Sequence, residues 1–320
     1  MRRVGVVIPA YNAAATIDET LLSVRAQTWR ELDIIVVDDG SADHTSERVR
    51  EHVREDGRVR LVRSENGGVA RARNIGIAEV KSDLIACIDA DDLWHPRKIE
   101  LQVAALDRAG DRTGLVYCWF VVIDELSRIV GYSSREKERG DVLRRMCLGN
   151  LIGSGSSALV TRRAIEAAGC FDPSLRDQGA QGCEDLKFYF SIAECYEFAV
   201  VPQYLVGYRA THASMSSDGG RMLRSYDMVM EPAERRYAQY ASEFRRGRIY
   251  LTEWLLQRAV RYGSQEQAKA MFIELYRQSR FSAVRALPRN ATLMRRRFIS
   301  RAPNRFFADL PVSEPGADAL

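Results

Sequence analysis

The chain has 320 residues, 46% hydrophobic and 28% charged, the balance of an ordinary soluble globular protein with a sizeable core. No run of 18 apolar residues occurs and the start of the chain has no signal-peptide pattern, so neither a spanning helix nor export is expected. The net charge of +4 hides an asymmetry: residues 221–320 carry 19 basic and 10 acidic side chains, a balance of +9, which leaves −5 for the front of the chain. An acidic front suits a metal site, and a basic back suits either an anionic surface or a solvated helical face.

In chain order, Val4–Ile8 reads as a buried strand and Ala14–Gln27 as a helix, with Ile17, Leu21 and Val24 at helical spacing and Thr16 to Glu19 as a capping pair. Strands follow at Asp33–Val37, Arg58–Val62 and Leu84–Ile88, and helices at Asp43–Glu55 and Val69–Val80. Pro96 opens a helix over Arg97–Ala109, the first-turn position proline favours. Val/Ile-rich strands alternating with helices predict a parallel sheet covered on both faces, with ligands beyond the carboxyl ends of the strands.

After Gly114 the pattern changes. Leu115–Ile123 continues the sheet, Ile129–Glu138 reads as an exposed excursion, and Ser156–Val160 is a strand followed by a short helix, Arg162–Ala168, ended by Gly169. Glu184–Cys195 is helical, and Phe198–Val201 and Leu205–Arg209 complete a mixed sheet. From about Gly219 the chain turns helical, over Arg221–Tyr240, Phe244–Tyr262, Ser264–Gln278 and a piece near Ser282. The division expected is therefore a sheet domain over residues 1–218, a helical region over 219–310 and a disordered tail over 311–320. The six cysteines form no C-x-x-C pair, which argues against a zinc or redox site, and the several that sit inside apolar runs read as buried thiols in a reducing cytoplasm.

Six polar clusters carry the chemistry. Pro9-Ala10-Tyr11-Asn12 leaves the first strand with an aromatic that can stack on a base or simply pack into a turn. Asp38-Asp39-Gly40-Ser41 closes the second strand with two adjacent carboxylates, able to accept a uracil imide N–H or a ribose hydroxyl, while Ser41 or Asp43 can cap the next helix. Asn66-Gly67-Gly68 precedes a helix start, where backbone can approach an anion. Arg71 and Arg73 point to opposite sides of that helix, so one at most faces a diphosphate, and Arg71 is favoured. Asp89-Ala90-Asp91-Asp92 sets an Asp-x-Asp at a strand end, the oxygen-ligand pattern of a hard divalent cation shared with substrate phosphates. Glu184-Asp185 stands at a helix start, as a base or as ordinary N-terminal acids. His212, after Tyr208-Arg209, is a metal ligand, a donor to a diphosphate, or structural.

In their order and spacing VIPAYNAA, VDDGSADHT, NGGVARARNIG, DADD, the late Glu-Asp and Tyr-Arg-x-x-His resemble the inverting glycosyltransferase family 2, over roughly residues 4–216. The resemblance implies a single GT-A α/β domain, a mostly parallel mixed sheet flanked by helices, here with a helical C-terminal extension. It also implies an enzyme that moves a sugar from a nucleoside-diphosphate sugar, commonly a UDP-sugar, to a glycan or lipid-linked acceptor hydroxyl. In that reading Pro9, Ala10, Tyr11, Asp38, Asp39, Gly68, Arg71, Asp89 and Ala90 hold the donor nucleotide. Asp91 and His212 hold Mn²⁺ or Mg²⁺, Asp185 is the base, and Glu184 and Asp92 bind sugar or acceptor hydroxyls. Nucleic acid is not an expected partner. A non-catalytic binder on the same fold, or a sugar-phosphate nucleotidyltransferase, is the competing reading; the latter needs a Gly-rich basic signature that Pro9–Asn12 lacks. Beyond Gly219 the resemblance carries nothing over. There Arg295-Arg296-Arg297-Phe298-Ile299, Arg301 and Arg305-Phe306-Phe307 suit peripheral contact with the inner face of an anionic membrane, or a packed helix with a solvated basic side.

Overall fold

The computed structural model describes residues 2–210, 218–287 and 306–312. Its centre is a nine-stranded sheet. Strands β1 (Val4–Ala10), β2 (Leu32–Asp38), β3 (Val59–Arg63) and β4 (Leu84–Cys87) run parallel in the order β3-β2-β1-β4. Between them lie helices α1 (Ile17–Arg25), α2 (Thr45–Glu55) and α3 (Val69–Glu79). β1 and β2 are buried at every position, as expected of central strands covered on both faces. Side-chain alternation divides the core: Val6, Ile8, Ile34 and Val36 join one apolar cluster, while Val7, Ile35 and Val37 join another across the sheet. α3 lies close on β1 because Gly76 has no side chain there; a Cβ would come within 2.3 Å of Val7.

The sheet then changes direction. β5 (Leu93–Trp94) is followed by helix α4 (Lys98–Ala109), β6 (Thr113–Ile123) and β7 (Ile129–Tyr132). Helix α5 (Leu143–Met146), β8 (Ala158–Thr161), α6 (Arg162–Ala168), α7 (Ser174–Asp177), α8 (Glu184–Ala193) and β9 (Glu197–Arg209) complete this part. β8 runs antiparallel to both β4 and β6, β9 parallel to β6, and β5 antiparallel to β9. Helices α9 (Gly219–Arg236), α10 (Ala241–Tyr262) and α11 (Gln265–Gln278) follow, and residues 280–287 are also helical. Tyr226, Leu255 and Leu275 of these helices belong to the same apolar cluster as Val7 and Ile35, so the helical region and the sheet share a core.

Several expectations are corrected. Ile129–Glu138 is exposed over much of its length but is not a free excursion: β7 pairs with β6, and the Trp119 indole and Tyr117 hydroxyl donate to the carbonyls of Glu136 and Glu138. The two strands expected over 198–209 are one, because Pro202 falls where the β6 pairing slips from Cys118–Val201 to Trp119–Tyr204, a bulge that needs no ladder N–H from proline. Pro96 precedes the N-cap of α4 instead of opening its first turn. Thr16 makes no cap; its hydroxyl donates to the Ala90 carbonyl, 2.9 Å away and 74 residues on.

Candidate functional site

A cleft of about 1670 Å³ opens above the carboxyl ends of β1, β2 and β4. Its first wall is a set of turns bonded to one another. The Asn12 N–H donates to the Ser41 hydroxyl, the Ala42 N–H to the Asn12 side-chain oxygen, and the Ala13 N–H to the Thr45 hydroxyl. Asn12 itself sits at φ +48°, a conformation asparagine tolerates. Tyr11 is 55% exposed at the rim, so it is not a packed turn tyrosine. Pro9 and Ala10 line the floor.

The two carboxylates closing β2 divide. Asp39 lines the cleft, and its two oxygens accept the N–H groups of Gly67 and Gly68 at 2.8 and 2.7 Å, so the paired glycines before α3 first serve to hold Asp39. Asp38 does not reach the cleft, which corrects its assignment to the donor: it is fully buried and accepts from the Ser41 N–H and the Ser46 hydroxyl beside Arg63. Burial alone would raise its carboxyl, but these partners outweigh it and hold it below the usual range. Arg71 is likewise corrected. It lies exposed, its aliphatic stem over Gly67, whereas Arg73, 4% exposed, turns into the cleft. Arg73 sits 2.6 Å from Asp89 and 5.1 Å from the centre of the Phe171 ring.

The Asp-x-Asp loop is a β-turn, closed by the Asp92 N–H donating to the Asp89 carbonyl at 3.0 Å. The turn sends Asp89 and Asp91 into the cleft and Asp92 inward. Asp92 therefore cannot meet a sugar: it is fully buried, accepting from the Ser156 hydroxyl at 2.6 Å and the Arg209 N–H at 2.9 Å. Ser156 also accepts the Asp89 N–H. Each following carbonyl is tied as well, Ala90 to Thr16, Asp91 to the Arg209 guanidinium and Asp92 to Thr20. Arg209, 2% exposed, is fixed in turn by Glu19 at 2.6 Å. The loop is thus rigid while Asp91 makes no ion pair among the described residues; burial, and then the charge of Asp89, push its carboxyl up to about 6.

Asp185 stands on the other side, at the start of α8. Its carboxylate accepts from the Asn150 amide at 2.9 Å and from the Leu186 N–H at 2.7 Å. Burial raises it, with the Arg73 charge acting against. Glu184 is 4% exposed, accepts from the Gly182 N–H and is also raised by burial. Both line the cleft. His212 falls outside the described residues.

A hard divalent cation needs oxygen ligands with little competition. Asp91, poorly solvated beside a like charge, fits that need, because a cation would relieve the repulsion that raises its carboxyl. No group of three metal-ligating side chains converges among the described residues.

Sequence reasoning assigned no role to Arg73 or Phe171, to Asn150 or Ser156, or to the far wall. That wall carries Trp119, Phe120, Tyr132 and Tyr208, and Tyr250 and Trp254 of α10 line the same cleft. Only the α10 residues had a legible signal, their place in a stretch that reads as helix.

Comparison with known proteins bears on all of this. The family model described as "Glycosyl transferase family 2" matches residues 5–169. An uncharacterized glycosyltransferase of Rickettsia typhi is 32% identical over 177 residues, 54% of each chain; the chain therefore spans about half the length of this curated relative. S. aureus TarS 1-349 in complex with UDP-GlcNAc superposes with TM-score 0.60 at 15% identity, over 91% of this chain and 81% of that one. A mannosyltransferase from Pyrobaculum calidifontis, in complex with GDP-Man and Mn²⁺, gives 0.57 at 19% identity, over 91% and 87%.

Proposed function

From the premise that this chain belongs to glycosyltransferase family 2 and has the GT-A fold, we propose that it is an inverting, metal-assisted hexosyltransferase. Its donor is a nucleoside-diphosphate sugar, a UDP-sugar before others, and its acceptor a hydroxyl of a glycan or glycolipid in the assembly of a cell-surface polysaccharide or lipopolysaccharide. The observation that carries this reading is one cleft with Asp39, Asp89 and Asp91 at the strand ends and the burial-raised Asp185 at a helix start.

The chain's own residues perform four tasks. Tyr11, Pro9, Ala10 and Asp39 take the base and ribose, the ring by stacking and the carboxylate by accepting N–H or O–H. Arg73 holds Asp89 in place for the ribose or the donor sugar. Asp91, with His212, would hold Mn²⁺ or Mg²⁺, which when bound offsets negative charge on the diphosphate. Asp185 accepts the proton of the acceptor hydroxyl as that oxygen attacks the anomeric carbon. A C–O bond forms on the face opposite the diphosphate, the bond to the diphosphate oxygen breaks, and the nucleoside diphosphate leaves with the electron pair. Glu184 binds a sugar or acceptor hydroxyl. Raised basicity suits Asp185 to its task, while the Asn150 amide aims one of its oxygens.

The test is thermal shift with UDP-, GDP- and dTDP-sugars in Mn²⁺, followed by nucleoside diphosphate release. One donor class should stabilise the chain; binding of none, or full activity in excess chelator, refutes the reading. For localisation, no described helix is long and apolar enough to cross a membrane. Peripheral contact is proposed through the basic C-terminal region, of which Arg295–Ile299, Arg301 and Arg305 lie outside the described residues; just before it Phe281, Val284 and Leu287 are exposed beside Arg280 and Arg285. Flotation on phosphatidylglycerol liposomes, with and without about the last 30 residues, decides it.

A further inference from the structure

The inward face of α10 has no counterpart in the matched family region, which ends at residue 169. Gly247, Tyr250, Trp254, Arg258 and Arg261 recur at three- and four-residue steps and all line the cleft. A stripe at that spacing ordinarily disappears into a core. This one leaves Tyr250 50% and Trp254 43% exposed inside a concavity. From Tyr250 to Arg261 it runs ~16 Å along the helix axis, longer than a single pyranose ring. Half-exposed aromatic rings in a groove offer flat apolar faces with no sequence-independent reason to stay wet. Toward its end the stripe becomes basic: Arg261 is exposed, and the guanidinium of Arg258, a residue 9% exposed, lies 5.7 Å from the centre of the Trp254 ring, where it adds positive charge beside the platform.

The stripe is also tied to the chemistry. Gly247 brings α10 against the Leu148 backbone; a Cβ there would stand 2.7 Å from the Leu148 carbonyl. Two residues on, Asn150 donates to Asp185. The stretch that α10 abuts is therefore the one that carries the partner of Asp185.

We propose that this face of α10 is the acceptor subsite and that it takes a saccharide bearing an anionic group, phosphate or carboxylate. Tyr250 and Trp254 stack on its rings, and Arg258 and Arg261 meet the charge. The proposal rests on the transferase reading, since a sugar acceptor is what that reaction requires.

The test labels the full chain with 5-fluorotryptophan and follows ¹⁹F resonances, the Trp254 signal being assigned with Trp254→Phe. Probes are a phosphate-bearing mannose oligosaccharide, the same compound dephosphorylated, a galacturonic-acid oligosaccharide and inorganic phosphate. Trp254 should respond to one or both charged saccharides, and which of them it prefers separates phosphate from carboxylate. The double variant Arg258→Gln/Arg261→Gln should weaken that response about tenfold, and Arg261→Gln alone, at an exposed position, about threefold if the double variant does not fold. Equal response to the neutral saccharide, equal response to inorganic phosphate, or no response overturns the subsite. Nucleotide-sugar uptake with Mn²⁺ is read in the same samples by ³¹P NMR. A chain that takes no donor overturns the transferase reading, whereas one that takes donor while Trp254 stays silent overturns the subsite alone.

Discussion

The two walls of the cleft are written in the chain in opposite ways. The wall with Tyr11, Asp39, Asp89 and Asp91 comes from residues 9–91, each group a few residues past a buried strand, and is rigid because neighbouring turns bond one another. The wall with Asn150, Asp185 and Trp254 is drawn from three distant stretches and owes its shape to how α8 and α10 pack. Short-range motif makes the first wall, tertiary contact the second. Changes to the second should thus disturb transfer while sparing the donor, and changes to the first should do the reverse.

The largest effect expected is that of Asp185→Asn, which keeps shape and the Asn150 contact but removes the base. Transfer should fall about 10²–10⁴-fold. Donor-induced thermal shift should stay as in the parent, the split between walls at its clearest. In the parent the acid limb of the rate profile should lie above the ordinary carboxylate range, because burial raises Asp185; activity is lost as pH falls through that value and its carboxylate is protonated. A variant with unchanged turnover removes Asp185 from the mechanism.

Next comes Ser156→Ala, aimed at the first wall. The hydroxyl accepts from the Asp89 N–H and donates to the buried Asp92. Its loss leaves Asp92 with the Arg209 N–H and should cost about 2–3 kcal/mol. Urea melts of the unliganded chain measure it, and donor affinity should drop with it as the Asp89–Asp91 turn loosens. Stability unchanged within error would show that the turn is held without this bridge.

These contrasts track what the sequence made legible. The strand ends, and the turns that follow them, were readable because a Val/Ile run must end in polar residues where it meets solvent, and those residues then sit at one edge of a parallel sheet. What could not be read was which member of each acidic or basic pair faces the ligand. Asp38 against Asp39, Arg71 against Arg73 and Asp92 against Asp91 are settled by partners 3 to 117 residues away, Ser41, Ser46, Gly67, Asp89 and Arg209 among them. Alternation along a strand does not apply in a β-turn, so it is the turn closed from Asp92 to Asp89 that puts Asp89 and Asp91 on the cleft side. The α10 wall was read as helix but not as site, because amphipathic spacing does not reveal whether a face meets core or cleft.

Gly247→Ala probes the second wall more gently. Alanine ordinarily stabilises a helix interior by about 1 kcal/mol over glycine. Here its Cβ would meet the Leu148 backbone and the Tyr226 hydroxyl at 2.7 Å, so the sign should reverse to a loss of about 1–2 kcal/mol. The donor-induced shift should persist and transfer should fall, because Asn150 moves with Leu148. A stabilised variant with normal transfer would uncouple α10 from Asp185.

The smallest effect separates the first wall from the core beneath it. Lys98 is fully buried under the strand-end turns, its ammonium 2.7 Å from the Gln102 oxygen and 4.0 Å from the centre of the Trp94 ring. Burial lowers it from 10.5 to about 8. Between those values the unfolded chain binds more protons than the folded one, so stability should rise as pH climbs from about 8 to 10.5. Lys98→Met keeps the volume and removes the charge. At pH 7 the gain from no longer burying an ammonium, on the order of 1–3 kcal/mol, exceeds the ~1 kcal/mol lost when the Gln102 oxygen gives up its donor. Near pH 10.5 only that loss remains, so the variant should melt above the parent at pH 7 and level with it or slightly below at pH 10.5. Because Gln102 still donates to the Val116 and Ser157 carbonyls, the strands above should not shift, and donor affinity should be unchanged at pH 7. A variant less stable than the parent at pH 7 would mean that the contact with Trp94 outweighs the desolvation, and that the charge under this wall is held by the ring.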